Sequence, residues 1–231
     1  MTYALIPGAG GAAWYWHRVE AELRRRGRDA VAVDLPADDD AAGLAEYADA
    51  VVAAVAGRAD VVLVAQSLAG FSAPLVCERR PVSLLVLVNA MIPAPGETAG
   101  QWWASTGHAE AMRENDLREG RPADAGFDVF THFLHDLPER VVEESAARQR
   151  RQSDTPFGQP WPLGAWPGVP TRVLIGRDDR FFPAGFQRRI AEERLGITPD
   201  EIAGGHLVAL GHPAEVADRL EAYRADAAAA G

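Results

Sequence analysis

Three kinds of side chain that carry acyl chemistry stand in this chain: a serine at Ser67, neighbouring carboxylates at Asp178 and Asp179, and an imidazole at His206. A serine hydroxyl is a weak nucleophile until a base takes its proton, and an imidazole does this near neutrality. A carboxylate on the far side of the ring then fixes the tautomer. In Val61-Val62-Leu63-Val64-Ala65-Gln66-Ser67-Leu68-Ala69-Gly70 the serine falls where an apolar run gives way to a helical pattern. Ala65 and Ala69, two positions either side, suit a tight strand–serine–helix turn, because larger substituents would meet neighbouring backbone. Such a turn exposes the hydroxyl and aims helix N-terminal amides at whatever the serine attacks. Serine is also a common helix N-cap, a second reading of Ser67 on its own.

The other two groups lie in loops. Gly176-Arg177-Asp178-Asp179-Arg180-Phe181-Phe182-Pro183 follows a strand pattern and puts its carboxylates at a strand's C-terminal end, where α/β sites are assembled. Gly204-Gly205 lets the backbone carry His206 toward the serine. Taken singly, an arginine-neutralised acidic turn and a loop histidine before a helix account for these segments as well. The order serine, aspartate, histidine along one chain favours the joint reading.

The elements that must position these groups follow from hydrophobic periodicity. Tyr3–Ile6, Ala30–Val33, Val61–Ala65 and Leu84–Val88 read as strands buried on both faces, separated by helical patterns. Leu44, Tyr47, Ala48, Val51, Val52 and Val55 form one apolar helical stripe. Alternation of this kind predicts an α/β fold with a mostly parallel sheet flanked by helices. From Met91 to Pro170 it stops, and four tryptophans appear among prolines and charges. That segment, 91–170, reads as a helical cap inserted after the fourth strand, leaving 1–90 and 171–231 as the core. Strands near Arg172–Ile175 and Glu201–Ala203 and a closing helix marked by Val216, Leu220 and Tyr223 complete it. The alanine-rich tail from Ala227 to Gly231 is expected to fray.

Composition narrows the chemistry. The chain has 231 residues, 23 basic against 33 acidic, for a formal charge of -10. That balance repels phosphate backbones and anionic headgroups, so neither nucleic acid nor a membrane surface is expected as partner. All 23 basic residues are arginine, which removes Schiff-base, P-loop and short-chain-dehydrogenase lysines. Cys77 is the single cysteine, so no intrachain disulfide or thiolate cluster can form. Neither a signal-peptide pattern nor a run of about 20 apolar residues is present, and a soluble cytoplasmic protein is expected. Pro74 falls inside the helix that follows Ser67.

Two rival readings compete. Gly8-Ala9-Gly10-Gly11-Ala12-Ala13 satisfies a dinucleotide fingerprint after the first strand, with Asp34 placed 24 residues beyond Gly10. Against an NAD(P)-binding oxidoreductase stand Pro7 in the turn and Trp14, Tyr15 and Trp16 at the start of the helix that should pack on the sheet. His132 and His135 share a helical spacing but lack a second ligand cluster, so no metal is expected. A non-catalytic ligand-binding member of the same fold is a third possibility.

The chain resembles the α/β-hydrolases, and within them the plant-type methylesterase and hydroxynitrile-lyase group with its bacterial relatives. The resemblance rests on Pro7–Trp16, Ala65–Gly70, Asp178–Pro183 and Gly204–His206. It implies Ser67 as nucleophile, His206 as base and Asp179 as orienting acid, the family acid lying four residues before the loop proline, Pro183. It further implies an oxyanion hole from the backbone amides of Ala9 and Leu68. The chain departs from the pattern at Pro7, where the family carries histidine, and at the elbow alanines. The lyase branch places a lysine after the histidine and a threonine after the first strand. This chain has Leu207 and Gly8 there, as in the esterase branch.

The implied activity needs no cofactor. Its partner is a small-molecule substrate, and Gly8, Trp14, Phe71, Trp102, Phe130 and His135 are the expected pocket residues. Their aromatic character favours small, neutral, hydrophobic carboxylic esters or lactones, and the negative charge disfavours anionic substrates.

Overall fold

Runs of valine, leucine and isoleucine with no charge between them have nowhere to lie but inside a sheet covered on both faces. In the computed structural model, which describes residues 1–122 and 126–229, they do so. The strands are β1 (Thr2–Ile6), β2 (Asp29–Ala32), β3 (Val61–Gln66), β4 (Leu84–Val88), β5 (Thr171–Gly176) and β6 (Asp200–Ile202). They pair in the order β2-β1-β3-β4-β5-β6, and every pair is parallel. The expected strands near positions 30 and 201 are present, each starting one residue earlier than the apolar pattern suggests.

Alternation along each strand divides the core in two. Ala4, Ile6, Leu63, Ala65, Leu85 and Leu87 point to one face, where they meet α2 (Leu44–Ala54), α3 (Ala69–Cys77) and α8 (Ala184–Leu195). Tyr3, Leu5, Val62, Val64, Val86 and Val88 point to the other, against α1 (His17–Arg25), α9 (Val208–Gly211) and α10 (Pro213–Ala229). Each buried leucine or valine contributes about 1.5–3 kcal/mol relative to exposure, so the register of every central strand is strongly specified. Cys77 packs on the first core, and burial pushes its thiol up to about 12, leaving it a hydrophobe rather than a nucleophile. Pro74 lies inside α3, buried. The tail expected to fray continues α10 as far as Ala229, and positions 230 and 231 lie outside the described residues.

Strand order also locates the site. The chain passes from β1 outward to β2, then crosses back to place β3 on the other side of β1. Loops leaving β1 and β3 therefore diverge and open a crevice at their C-terminal ends, the usual position for ligands in such sheets. Those loops carry Gly8 to Ala13 and Ser67.

Between β4 and β5 run α4 (Ala99–Ser105), α5 (His108–Arg118), a π-helical turn (Phe130–Leu134), α6 (Glu139–Ala146) and α7 (Thr155–Gly158). Trp102 and Trp161 from this stretch join the first core, while Leu137 and Val141 join the second. Two of the tryptophans that mark the segment are thus packing residues, fully enclosed and donating their indole N–H to backbone carbonyls of Ile92 and Phe71.

Candidate active site

Ser67 occupies φ 51°, a left-handed conformation that costs a non-glycine residue about 1–3 kcal/mol. Surrounding bonds hold it there. Its carbonyl accepts from the Gly70 amide at 3.1 Å and from the Met91 amide at 3.0 Å, so the loop after β4 pins the turn. Gly70 must lack a side chain, because a Cβ there would run into the Met91 carbonyl. Gly8 answers the same demand from the other loop: a Cβ would stand 2.8 Å from that of Ser67. Serine at a strained strand-to-helix corner is the geometry that exposes a nucleophile above a parallel sheet.

His206, Asp179 and Ser67 form one hydrogen-bonded chain. The His206 Nδ1 lies 2.8 Å from Asp179 Oδ2, and its Nε2 lies 3.2 Å from Ser67 Oγ. Because a carboxylate only accepts, Nδ1 carries the proton and the Nε2 lone pair faces the serine. Asp179 is itself fixed, its Oδ1 accepting from the amides of Phe181 at 2.9 Å and Phe182 at 2.8 Å. Gln187 Nε2 adds a donor at 3.3 Å to Oδ2. Asp178 does different work, accepting the Gly204 amide at 2.9 Å and tying the two loops together. Of the two adjacent aspartates, Asp179 is the one whose carboxylate reaches the ring.

The imidazole is almost sealed, with 1% of His206 exposed. Phe133 stacks on its face at 4.8 Å and 14°. Phe181 and Phe182 meet it edge-on at 5.2 and 4.8 Å. Beside these groups lies a cleft of about 280 Å³ whose wall includes Gly8, Ala9, Trp14, Gln66, Phe133 and Leu207. Tyr15 also borders it, and burial raises its phenol well above the ordinary range, so that it stays neutral. Other hollows are larger. One of about 640 Å³ runs between α5 and α8 among Glu114, Arg118 and Arg188, and one of about 380 Å³ lies behind Asp179. Neither carries Gly8, Ala9 or Gln66, the residues next to the serine.

The amides of Ala9 and Leu68 donate to no acceptor among the described residues. Gly8 holds the first loop by donating to Gln66 Oε1 at 3.1 Å, and Gly10 does so by donating to Gln152 Oε1 at 2.8 Å. Asp34, the acid of the dinucleotide pattern, accepts the Ala13 amide at 2.9 Å and pairs with Arg150 at 3.3 Å. Trp14, Tyr15 and Trp16 form a 3₁₀ turn ahead of α1, so the glycine loop does not open a helix directly.

Of the residues expected around a substrate, Gly8 and Trp14 line the cleft. The others are elsewhere. Phe71 is fully buried in the first core, Trp102 packs on Phe182 and Phe186, and Phe130 is 65% exposed. His135 lines the hollow behind Asp179, beside Asp136 at 4.0 Å, and burial lowers its pKa. Side chains given no individual role in the sequence reading supply further contacts: Phe133 over the ring, Gln66 beneath Gly8, Asn89 behind the histidine loop and Gln187 against Asp179. Gln66 and Asn89 left a signal, since each is a polar residue closing an otherwise apolar strand run.

The fold, the switch-point serine and its histidine–aspartate chain define an α/β-hydrolase, and the chain belongs to the alpha/beta hydrolase family, whose model matches residues 4–219. Within it the chain is similar to the probable esterase PIR7A of Oryza sativa, at 39% identity over 111 residues, 42% of either protein. It is also similar to methyl jasmonate esterase 1 of Vitis vinifera, at 34% identity over 40% of either protein. These matches span less than half the length of those curated relatives. The fold is shared with polyneuridine aldehyde esterase, at TM-score 0.76 and 21% identity, covering 96% of this chain and 98% of that one. A pyrethroid hydrolase from Sphingobium faniae has TM-score 0.75 and 22% identity, covering 96% of each.

Proposed function

We propose that this protein is a serine hydrolase that cleaves small, neutral, hydrophobic carboxylic esters or lactones through an acyl-enzyme. The observation that carries the reading is the Ser67–His206–Asp179 chain, at 3.2 and 2.8 Å, ending on a serine held at a strained corner. Ser67 Oγ attacks the carbonyl carbon while its proton passes to His206 Nε2. The negative charge that develops on the carbonyl oxygen is met by the amides of Ala9 and Leu68, each such donor being worth roughly 100- to 1,000-fold in rate. His206 then gives its proton to the departing alcohol as the C–O bond breaks. Water, deprotonated by the same imidazole, repeats the attack and frees the acid and Ser67. Asp179 stays ionised throughout and holds the tautomer.

Substrate class rests on the cleft and on the relatives. Trp14, Phe133, Leu134, Leu207 and Leu210 give it a largely apolar wall, alongside Ser145, Arg148, Gln149 and Arg150, and that wall favours an apolar acyl or alcohol group over a sugar. Residues 91–170 act as the cap that supplies Phe133 and Leu134 to that wall. The similar proteins of Oryza sativa and Vitis vinifera are named as esterases, which supports the same bond type.

Incubation with a fluorophosphonate probe and mapping of the adduct by mass spectrometry tests the nucleophile. Labelling at Ser67, abolished in Ser67→Ala, is expected. Labelling elsewhere, or full esterase activity in that variant, overturns the reading. A panel of p-nitrophenyl acetate and butyrate and an aryl methyl ester, set against phosphate esters and glycosides, tests the substrate class. Faster turnover of either polar class than of every ester would refute it, and saturable micromolar binding of NAD or NADP would restore the dinucleotide reading.

A further inference from the structure

The loop that carries His206 is built from residues that cannot hold it. Gly204 takes φ 115° and Gly205 follows, so the backbone ahead of the imidazole has the widest conformational freedom a chain can have. Neither place has free room for a side chain. A Cβ on Gly204 would stand 2.6 Å from the His212 ring, and one on Gly205 would stand 2.8 Å from both His135 and Asp136 side chains. Rigidity must therefore come from outside the loop.

Beside the bonds that join Asp178 to Gly204, it comes from Asn89. This residue closes β4, is fully buried, and sits at φ 44°, a conformation that asparagine adopts more readily than most residues. Its Nδ2 donates to the Gly205 carbonyl at 3.0 Å and to the His206 carbonyl at 3.2 Å. Its Oδ1 accepts the Gly176 amide at 2.7 Å, where β5 ends and the Asp179 loop begins. One carboxamide thus spans the segments bearing the base and its orienting acid. On the opposite side Asp136 accepts the Gly205 amide at 2.6 Å. Among the described residues no side-chain hydrogen bond joins Asn89 to Ser67, and Asn89 does not line the cleft.

We propose that Asn89 is a positioning residue for His206: its carboxamide fixes the Gly204-Gly205-His206 segment so that the imidazole stays between Asp179 and Ser67. The proposal rests on the serine-hydrolase reading. It explains why a buried polar side chain closes an apolar strand in a strained conformation, since an apolar residue there would leave the Gly205 carbonyl and the Gly176 amide without these partners.

Two substitutions separate the amide from the backbone strain. Asn89→Gly keeps the positive φ at no steric cost but removes the carboxamide, whereas Asn89→Ala removes it and adds strain. If the amide positions the histidine, both variants lose at least about tenfold in kcat, with KM within about twofold, because a displaced catalytic group costs rate rather than binding. Their melting temperatures differ, alanine being the lower, while their kcat values agree. A kcat for Asn89→Gly equal to wild type overturns the proposal.

Hydrogen exchange gives a second reading. The Gly204 and Gly205 amides, which donate to Asp178 and Asp136, are expected to exchange faster in Asn89→Gly than in wild type, and equal protection in the two proteins would show that the carboxamide does not clamp the loop. Fluorophosphonate labelling tells the two failures apart. No labelling of wild-type Ser67 removes the hydrolase reading and this proposal with it. Labelling of wild type and Asn89→Gly at equal rates removes the clamp alone.

Discussion

Replacing Asp179 by asparagine should abolish most activity while leaving the fold intact, and the local hydrogen bonds say why. Asp179 Oδ1 accepts two backbone amides, from Phe181 and Phe182, at 2.9 and 2.8 Å. In Asp179→Asn only the carboxamide oxygen can serve them, so the NH₂ is forced into the Oδ2 position, 2.8 Å from His206 Nδ1. A donor facing Nδ1 demands a lone pair there and drives the imidazole proton to Nε2. The ring then points an N–H at Ser67 and can no longer take its proton. Wrong-tautomer substitutions of this kind cost about 10,000-fold in kcat, equivalent to about 5 kcal/mol of transition-state stabilisation. Asp178→Asn is the matched control. Its neighbour is a single amide donor, Gly204 at 2.9 Å, which a carboxamide oxygen accepts equally well. Its kcat/KM for p-nitrophenyl butyrate should stay within about threefold of wild type, a change of under 1 kcal/mol. Steady-state kinetics on both variants, with circular dichroism melts to confirm folding, decide the matter. A folded Asp179→Asn retaining a tenth or more of wild-type kcat, or an Asp178→Asn as damaged as its neighbour, would refute the tautomer argument.

Gly8→Ala places a methyl group 2.5 Å from Gln66 Oε1 and 2.8 Å from Ser67 Cβ, so the loop must retreat from the serine. A fall of roughly 100-fold in kcat/KM without unfolding is expected, and wild-type kinetics would show that the loop's approach is not needed. Phe133→Ala, which uncovers the face of His206, should lose about tenfold in kcat/KM, while Phe130→Ala, at a residue 65% exposed, should change it by less than about twofold. Equal effects would contradict the placement of these rings. His108 is buried, donates Nε2–H to the Phe181 carbonyl at 2.7 Å, and has its pKa lowered by desolvation from the ordinary 6.5. The unfolded chain therefore takes up this proton first. Its stability contribution is complete above 6.5 and is lost as the pH falls from there toward the lower folded-state value. Melting temperatures measured from pH 7.5 down to 5 should fall less steeply in His108→Gln than in wild type, and a steeper fall in the variant would reverse the argument.

The parallel sheet was readable because its central strands β1, β3 and β4 carry no charge, a pattern that few other structures tolerate. The serine corner was readable from the small residues on both sides of Ser67, which permit a tight turn that larger ones would block. Sequence order also carried information, since serine, aspartate and histidine each stand at the C-terminal end of a strand or just beyond it. The boundaries of the edge strands were less legible. Asp29 and Asp200 begin β2 and β6, and a charged residue that faces solvent at a sheet margin gives no apolar signal.

The aromatic residues show where sequence stops being informative. Trp102, Phe71 and Phe133 are alike in hydrophobicity, yet two are enclosed in the first core and one lies on the imidazole. What separates them is direction. Trp102 lies on a regular turn of α4, and its indole N–H is consumed by Ile92, so the ring points into the body of the protein. Phe133 lies on a π-helical turn, whose extra residue per turn swings successive side chains off the regular spacing. Phe130, three positions earlier, is thereby left in solvent while Phe133 reaches His206, and Asp136, three positions later, reaches Gly205. The same few residues thus cover the His206 ring and brace the loop that holds it. No helical or strand periodicity predicts that combination, because it depends on the irregularity of the turn.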